Sequence, residues 1–179
     1  MSLLKIDTGF LNIENCSDAK VSRIVDLINE VYDEAEKDLW KIEGSRINKE
    51  VLQKMIQERT ILVSSIENEI IGVVSVSEIT SAIAGFSMLS THKAHQGKGI
   101  GRTLINAVEE WAKGEKYAIM QLELLIPKTH KNASKEMLTN WYTQLGYQKT
   151  KTEPFENSYP DKAALLACEC DFTIWQKNI

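Results

Sequence analysis

Apolar residues recur at spacings of three and four from Val21 through Ile24, Val25, Ile28, Val31 and Tyr32 to Ala35, the pattern of a helix with one buried face. Ser17 stands where an N-cap belongs. A second, shorter stretch of this kind follows Asn48, with Val51, Leu52, Met55 and Ile56 on one side. The period then changes. Thr60 to Ile66 and Ile70 to Ser77 have strand length and composition and are separated by Glu67, Asn68 and Glu69, which predicts a hairpin. Gly85 to Ser90 predicts a third strand. A polar, glycine-rich stretch from Thr91 to Gly101 leads into Leu104, Ile105, Val108, Trp111 and Ala112 on one helical face, with Gly114 as the expected stop.

Tyr117 to Ile126 predicts a buried strand that ends before Pro127. Met137, Leu138, Trp141, Tyr142 and Leu145 predict another helix, closed by Gly146, and two further strands are expected from Tyr147 and from Ala163. The order is helix, helix, strand hairpin, strand, helix, strand, helix, strand, strand. The section from Gly85 to Ile126 has βαβ form and predicts a parallel pair, whereas the hairpins predict antiparallel pairing elsewhere. A mixed α/β (α+β) sheet flanked by helices results.

Composition narrows the class. A chain of 179 residues that is 43% hydrophobic, with 9 Gly and 3 Pro, predicts one domain spanning residues 1–179. Lys and Arg number 21 against 25 Asp and Glu, a net charge of -4, which disfavours general binding to nucleic acid. The apolar stretch in Met1 to Phe10 is too short for a secretory leader, and no run reaches the roughly 20 residues of a membrane span, so a cytoplasmic location away from membranes is expected. Cys16, Cys168 and Cys170 form no metal-ligand spacing, so no metal is expected. Cys168 and Cys170 are expected on one face of a strand in the run Ala163 to Ile174, as small apolar fillers.

The chemistry concentrates in His95-Gln96-Gly97-Lys98-Gly99-Ile100-Gly101-Arg102-Thr103, between a strand and a helix. Closely spaced glycines let backbone N–H groups converge, and a helix starting there adds unpaired donors and the positive end of its dipole. That combination suits a pyrophosphate. Lys98 and Arg102 add charge, and the Thr103 hydroxyl adds a donor. The stretch is not a Walker loop, since His92 and Gly99 occupy the positions needing Gly and Ser or Thr, and the glycine spacing fails the dinucleotide fingerprint G-x-G-x-x-G. What remains is Q-x-x-G-x-G, formed by Gln96, Gly99 and Gly101.

In these residues the chain resembles the GNAT superfamily of N-acetyltransferases, whose acetyl-CoA loop follows that pattern. Trp141-Tyr142-Thr143-Gln144-Leu145-Gly146-Tyr147 resembles the Y-x-x-x-G-F or Y segment at the end of the following helix. The likeness is specific over about Gly85 to Thr150, and Ser134-Lys135-Glu136, Trp141-Tyr142, Tyr159-Pro160 and Cys170-Asp171-Phe172 together resemble a group of microbial members of unassigned substrate. It implies a mostly antiparallel central sheet with a splayed fourth and fifth strand pair and a bulge in the fourth. Leu89, Ser90 and Thr91 would then meet the pantetheine arm of acetyl-CoA, and Gln96, Gly97, Lys98, Gly99, Ile100, Gly101, Arg102 and Thr103 the pyrophosphate. Many family members place Asn seven positions before the Tyr. This chain has Lys135 there, which leaves phosphate contact by Lys135, or an arm contact by Asn132 or Ser134, as the alternatives.

The implied reaction is direct attack of a primary amine on the thioester, with Tyr142 protonating the CoA sulfur. The base is open: Glu123 alternates with Leu122 and Leu124 and so faces the other side of its strand, and Glu78 is a second candidate. His92, His95 and His130 are weaker ones, and no cysteine lies in the expected cleft elements. Tyr32, Trp40, Arg46 and the segment Pro154 to Pro160 are expected on the acceptor side. Glu30, Asp33, Glu34 and Asp38 read first as a solvated helix face. A non-catalytic acyl-CoA-binding or regulatory module is the alternative, and exposed strand edges near the C-terminus allow a homodimer.

Overall fold

The computed structural model describes residues 5–41 and 44–179; Leu3 and Leu4 of the opening apolar stretch lie outside the described residues. The elements are β1 (Asp7–Phe10), α1 (Asp18–Glu36), α2 (Lys49–Gln57), β2 (Ile61–Ile66), β3 (Glu69–Thr80), β4 (Ile83–Thr91), α3 (Ile100–Gly114), β5 (Ile119–Pro127), α4 (Ala133–Gln144), β6 (Gln148–Pro154), the single turns α5 (Phe155–Ser158) and α6 (Pro160–Ala163), and β7 (Cys170–Asn178).

The caps follow the sequence. Ser17 Oγ accepts from Lys20 N at 3.3 Å, Asn48 Oδ1 from Val51 N at 2.9 Å, and Asn132 Oδ1 from Lys135 N at 3.0 Å. Each satisfies one of the donors that a helix start leaves unpaired. Gly146, at φ +93, terminates α4 as expected. Gly114 is the last residue of α3, as expected, and a left-handed position follows at Lys116, φ +68. Val51 and Met137, expected on buried faces, are exposed.

The seven strands form one sheet in the order β1-β2-β3-β4-β5-β7-β6. Every pairing is antiparallel except β4 with β5, the crossover that carries α3. Glu67 and Asn68, both at positive φ, make the tight turn between β2 and β3. Residue β1 pairing (Asp7 with Ser65 through Phe10 with Leu62) is an addition to the expected order. Pro127 belongs to β5 as its last residue, opposite Cys170, where a missing N–H costs little.

One face of the sheet is covered by α3 and α4, whose Leu104, Ile105, Val108, Ala112 and Tyr142 pack on Val74, Val76, Phe86, Leu122 and Leu124. The other is covered by α1 and α2, whose Ile24, Ile28, Leu52 and Ile56 pack on Ile61, Val63 and Val73. Each fully buried aliphatic side chain contributes about 1.5–3 kcal/mol. A third cluster gathers Leu39, Leu125, Phe155, Cys170 and Phe172.

The last strand starts at Cys170, not Ala163. Tyr159-Pro160 turns the chain into α6, and the Leu165 carbonyl and Ala167 N–H bond Lys41 and Leu39. Cys168 therefore precedes the strand while Cys170 is buried in it, their sulfurs 3.7 Å apart, and burial pushes the Cys170 thiol up to about 12. Among the described residues no helix is long and apolar enough to cross a membrane.

Candidate active site

The site begins where β4 and β5 part. Only Ile83, Ala84 and Gly85 pair with β5, opposite Ile119, Met120 and Gln121; beyond Gly85 the two strands share no rungs. On its other edge β4 stays paired with β3, but two β4 residues, Met88 and Leu89, stand against Val74 alone between the Ser75–Ser87 and Val73–Ser90 pairs. This is a β-bulge. Met88 takes φ +53, a conformation disfavoured for a residue with a side chain. Nothing local in Phe86-Ser87-Met88-Leu89 marks that position.

Past Thr91 the chain makes a short 3-10 turn over Lys93–His95, in which His92 Nδ1 accepts from Ala94 N at 3.3 Å. Gly97 and Gly99 then take φ +74 and +84, and α3 begins. An added side chain at Gly99 meets nothing within 4 Å, so glycine is needed there for its backbone angle rather than for space. In contrast to α1, α2 and α4, α3 has no side-chain cap. The N–H groups of Ile100, Gly101 and Arg102 precede the first intrahelical bond, which Thr103 N makes to the Gly99 carbonyl. Gly101 serves a different purpose: a Cβ there would lie 3.1 Å from the Trp141 ring, so it sets the approach of α3 to α4.

Three expected contacts change in kind. The Ile100 side chain is buried in the core and leaves only its N–H for a ligand. The Thr103 hydroxyl donates to the Gly99 carbonyl at 3.2 Å, a bond back along its own helix that competes with any outward donation. Lys135 is buried, its Nζ 2.6 Å from Glu36 Oε1, so its charge is spent on α1. Of Leu89, Ser90 and Thr91, Leu89 lines the cavity described next, Ser90 is buried with its hydroxyl donating to the Met88 carbonyl at 3.2 Å, and the Thr91 carbonyl accepts from Gln96 Nε2 at 3.5 Å.

A cavity of about 760 Å³ occupies the splay and extends under α1. It brings together β4 from Gly85 to Leu89, Gln96 at the loop, Tyr142 and Lys135 of α4, Glu123 of β5, Glu78 of β3, and Tyr32, Trp40 and Arg46. Lys98 and the glycines of the loop lie outside its lining, as do His92, His95 and all three cysteines. Tyr142 is packed between Phe86, Trp141 and Tyr147, with ring centroids 6.0, 5.1 and 5.9 Å away. Burial raises its phenol pKa, with the Tyr32 phenol adding to the effect, so it is a neutral proton donor throughout the physiological range. Tyr147 has no such freedom: it is fully buried and donates to Glu109 at 2.8 Å.

Glu123 faces away from Leu122 and Leu124, as alternation requires, and lines the cavity. Gln176 Nε2 donates to Gln121 Oε1 at 2.7 Å, Gln121 Nε2 to Glu123 Oε1 at 3.5 Å, and Tyr159 Oη to Glu123 Oε2 at 3.2 Å. Glu78 accepts from Tyr117 at 2.8 Å. Glu36 combines the Lys135 pair with a 3.0 Å bond from Trp40 Nε1. Burial alone raises its carboxyl pKa, but Lys135, Trp40 and Arg46 outweigh it and hold it below the ordinary value. The α1–α4 connection is reinforced by Asn132 Nδ2 donating to the Ala35 carbonyl at 3.3 Å. The Glu36–Lys135 pair and the Tyr159 contact escaped sequence reasoning, since partners 99 and 36 positions apart leave no local pattern.

Residues 57–149 match the acetyltransferase (GNAT) domain, and the chain belongs to that family. It is thereby an acetyl-CoA-dependent N-acetyltransferase by class. Solved structures share the fold over nearly the whole chain. An aminoglycoside 6′-N-acetyltransferase complexed with coenzyme A superposes with TM-score 0.73 at 13% identity, covering 96% of each chain. The smu.2055 protein of Streptococcus mutans UA159 gives 0.71 at 19% identity, covering 97% of this chain and 98% of that one. YncA of Salmonella typhimurium, solved with its cofactor acetyl-CoA, gives 0.68 at 17% identity, covering 97% and 94%. No curated protein matches the chain significantly in sequence.

Proposed function

We propose that this single-domain enzyme moves the acetyl group of acetyl-CoA to a primary amine by direct attack in a ternary complex. The observation that carries the reading is the uncapped start of α3 beside the β4–β5 gap, with Tyr142 and Glu123 lining one cavity at that gap. The unpaired N–H groups of Ile100, Gly101 and Arg102 fit the pyrophosphate, with Lys98 and Arg102 as counter-charges. The unpaired edge of β4 from Phe86 onward fits the amides of the pantetheine arm. A backbone N–H at the bulge would stabilise the oxyanion that forms as the amine attacks.

The amine must first lose its proton, because an alkylammonium near pKa 10.4 is not a nucleophile. Glu123, held by Gln121 and Tyr159, is the acceptor we favour, directly or through water. The departing thiolate takes its proton from Tyr142. The loop and Tyr142 distinguish this reading from a non-catalytic CoA-binding module, which needs the first but not the second. Calorimetry with acetyl-CoA, followed by mass detection of acetylated amines, tests both. Binding without turnover of any amine favours the module, and absence of binding removes both readings.

A further inference from the structure

Two cations stand on aromatic faces on the acceptor side of the cavity. The Arg46 guanidinium carbon lies 4.6 Å from the centre of the Tyr32 ring, and Lys162 Nζ 5.4 Å from that of Tyr159. All four side chains line the cavity. Among the described residues neither cation has an ion-pair partner, whereas four of the five carboxylates in the lining are engaged, Glu36 by Lys135, Glu34 by Lys93 at 3.8 Å, Glu78 by Tyr117 and Glu123 by Tyr159, and only Glu30 has no such contact.

Arg46 is also held in place. The Asn29 side chain of α1 makes both backbone bonds of the next residue, accepting from Ile47 N at 3.1 Å and donating to the Ile47 carbonyl at 3.0 Å, and the Ile47 side chain is buried. This two-point tie fixes the chain beside Arg46, and the guanidinium carbon stands over the Tyr32 face. Among the described residues no hydrogen bond or ion pair takes up the guanidinium N–H groups, which suit a two-pronged bond to a carboxylate.

Glu123 occupies the β5 wall of the same cavity. Arg46 is near enough to the Tyr159 phenol, which bonds Glu123, to oppose its upward pKa shift. The cavity thus holds the Glu123 carboxylate together with two cations, Arg46 and Lys162, that have no ion-pair partner among the described residues. Its 760 Å³ must also take the end of the acetyl-CoA arm, which leaves room for a small acceptor.

Resting on the acetyl-transfer reading above, we propose that the acceptor is a small amine that also carries a carboxylate, of the free amino acid class, with its amine toward Glu123 and its carboxylate on Arg46, assisted by Lys162. A polyamine would set a positive charge against Arg46, and a lysine within a protein brings no carboxylate of its own to the site. In the reaction the amine, after losing a proton to Glu123, forms the new C–N bond to the acetyl carbon, and the second proton that its nitrogen then sheds replaces, through solvent, the one Tyr142 gives up. The C–S bond breaks, its electron pair leaves on sulfur, and Tyr142 supplies the proton; the products are an N-acetyl amino acid and CoA thiol.

The test compares matched triplets, each an L-amino acid, its carboxamide and its decarboxylated amine, with aliphatic, aromatic and acidic side chains. Product is measured by mass, and binding of the same compounds to the CoA-loaded protein by calorimetry. At least one acid should exceed its amide and amine by about tenfold or more in kcat/KM or affinity, as expected for a charge-assisted bidentate contact. Arg46→Gln should bring that ratio toward one, and Arg46→Lys should restore part of it; a ratio is insensitive to loss of folded protein. Equal or better use of the uncharged partners, a ratio unchanged in Arg46→Gln, or no binding and no turnover of any acid overturns the proposal. Acetyl-CoA affinity, measured separately, reports on the underlying transfer reading: its absence removes that reading, its presence without acid preference removes only this one.

Discussion

The two halves of the cleft are built on different principles. On the side proposed for the cofactor the available groups are backbone atoms: three N–H groups at the start of α3, a strand edge freed by the splay, and a bulge at Met88. On the acceptor side they are side chains delivered by α1, the chain around Arg46, β5 and the α5–α6 segment. Backbone geometry depends on where the chain turns and survives wide exchange of side chains. Side-chain recognition rests on residues far apart in sequence, each replaceable alone, so the acceptor side is where substrate choice is free to change within one fold.

The sharpest way to break that division is through the groups that span it. Lys135→Ala leaves Glu36 buried without its counter-charge and should cost about 3 kcal/mol or more, read as a lowered urea midpoint. A midpoint within error of the parent would mean that Trp40 and Arg46 suffice for Glu36. Next in size, Tyr142→Phe should lower kcat by about 100-fold or more while changing acetyl-CoA affinity far less; equal losses in both would assign the ring to binding. Gly99→Val places a branched side chain at φ +84 and should weaken acetyl-CoA roughly tenfold through backbone strain alone, since no atom stands in its way. Gly101→Ala should act differently, by moving Trp141, and is read in the stability of α4 packing. The smallest effect is that of acid. Because the folded Glu36 pKa is depressed, its pair contributes stability above the ordinary value of 4.5 and loses it as pH falls through the lower folded value. The urea midpoint of Glu36→Gln should therefore depend less on pH than that of the parent below about pH 5.

The same division separates what sequence made legible. The N-caps at Ser17 and Asn48, the stop at Gly146 and the glycine-rich loop from Gln96 to Gly101 between strand and helix are local, each defined within a few residues, and each lies where expected. Glu123 was accessible through strand alternation. The bulge was implied only by resemblance, because a methionine at positive φ carries no local sign. Gly114 closes α3 as expected, and the left-handed residue after it is Lys116, which no local pattern marks. The strand expected from Ala163 begins at Cys170 because the chain between is drawn to Leu39 and Lys41, a tertiary demand that outweighs its apolar composition. Lys135 was one of three candidates, with Asn132 and Ser134, for contact with the cofactor, and its pairing with Glu36, 99 positions away, has no local sign.

The junction between β4 and β5 has a mechanical meaning. Four strands lie on one side of it and three on the other, joined within the sheet by three register pairs. On the proposed binding mode, a ligand arm inserted there would complete the missing rungs with its own amides and work as a wedge and a splint at once. Slowed hydrogen exchange on binding should accordingly appear along both lips of the gap, in β4 beyond Gly85 and in β5 beyond Gln121, as the two sub-sheets begin to open and close as one body.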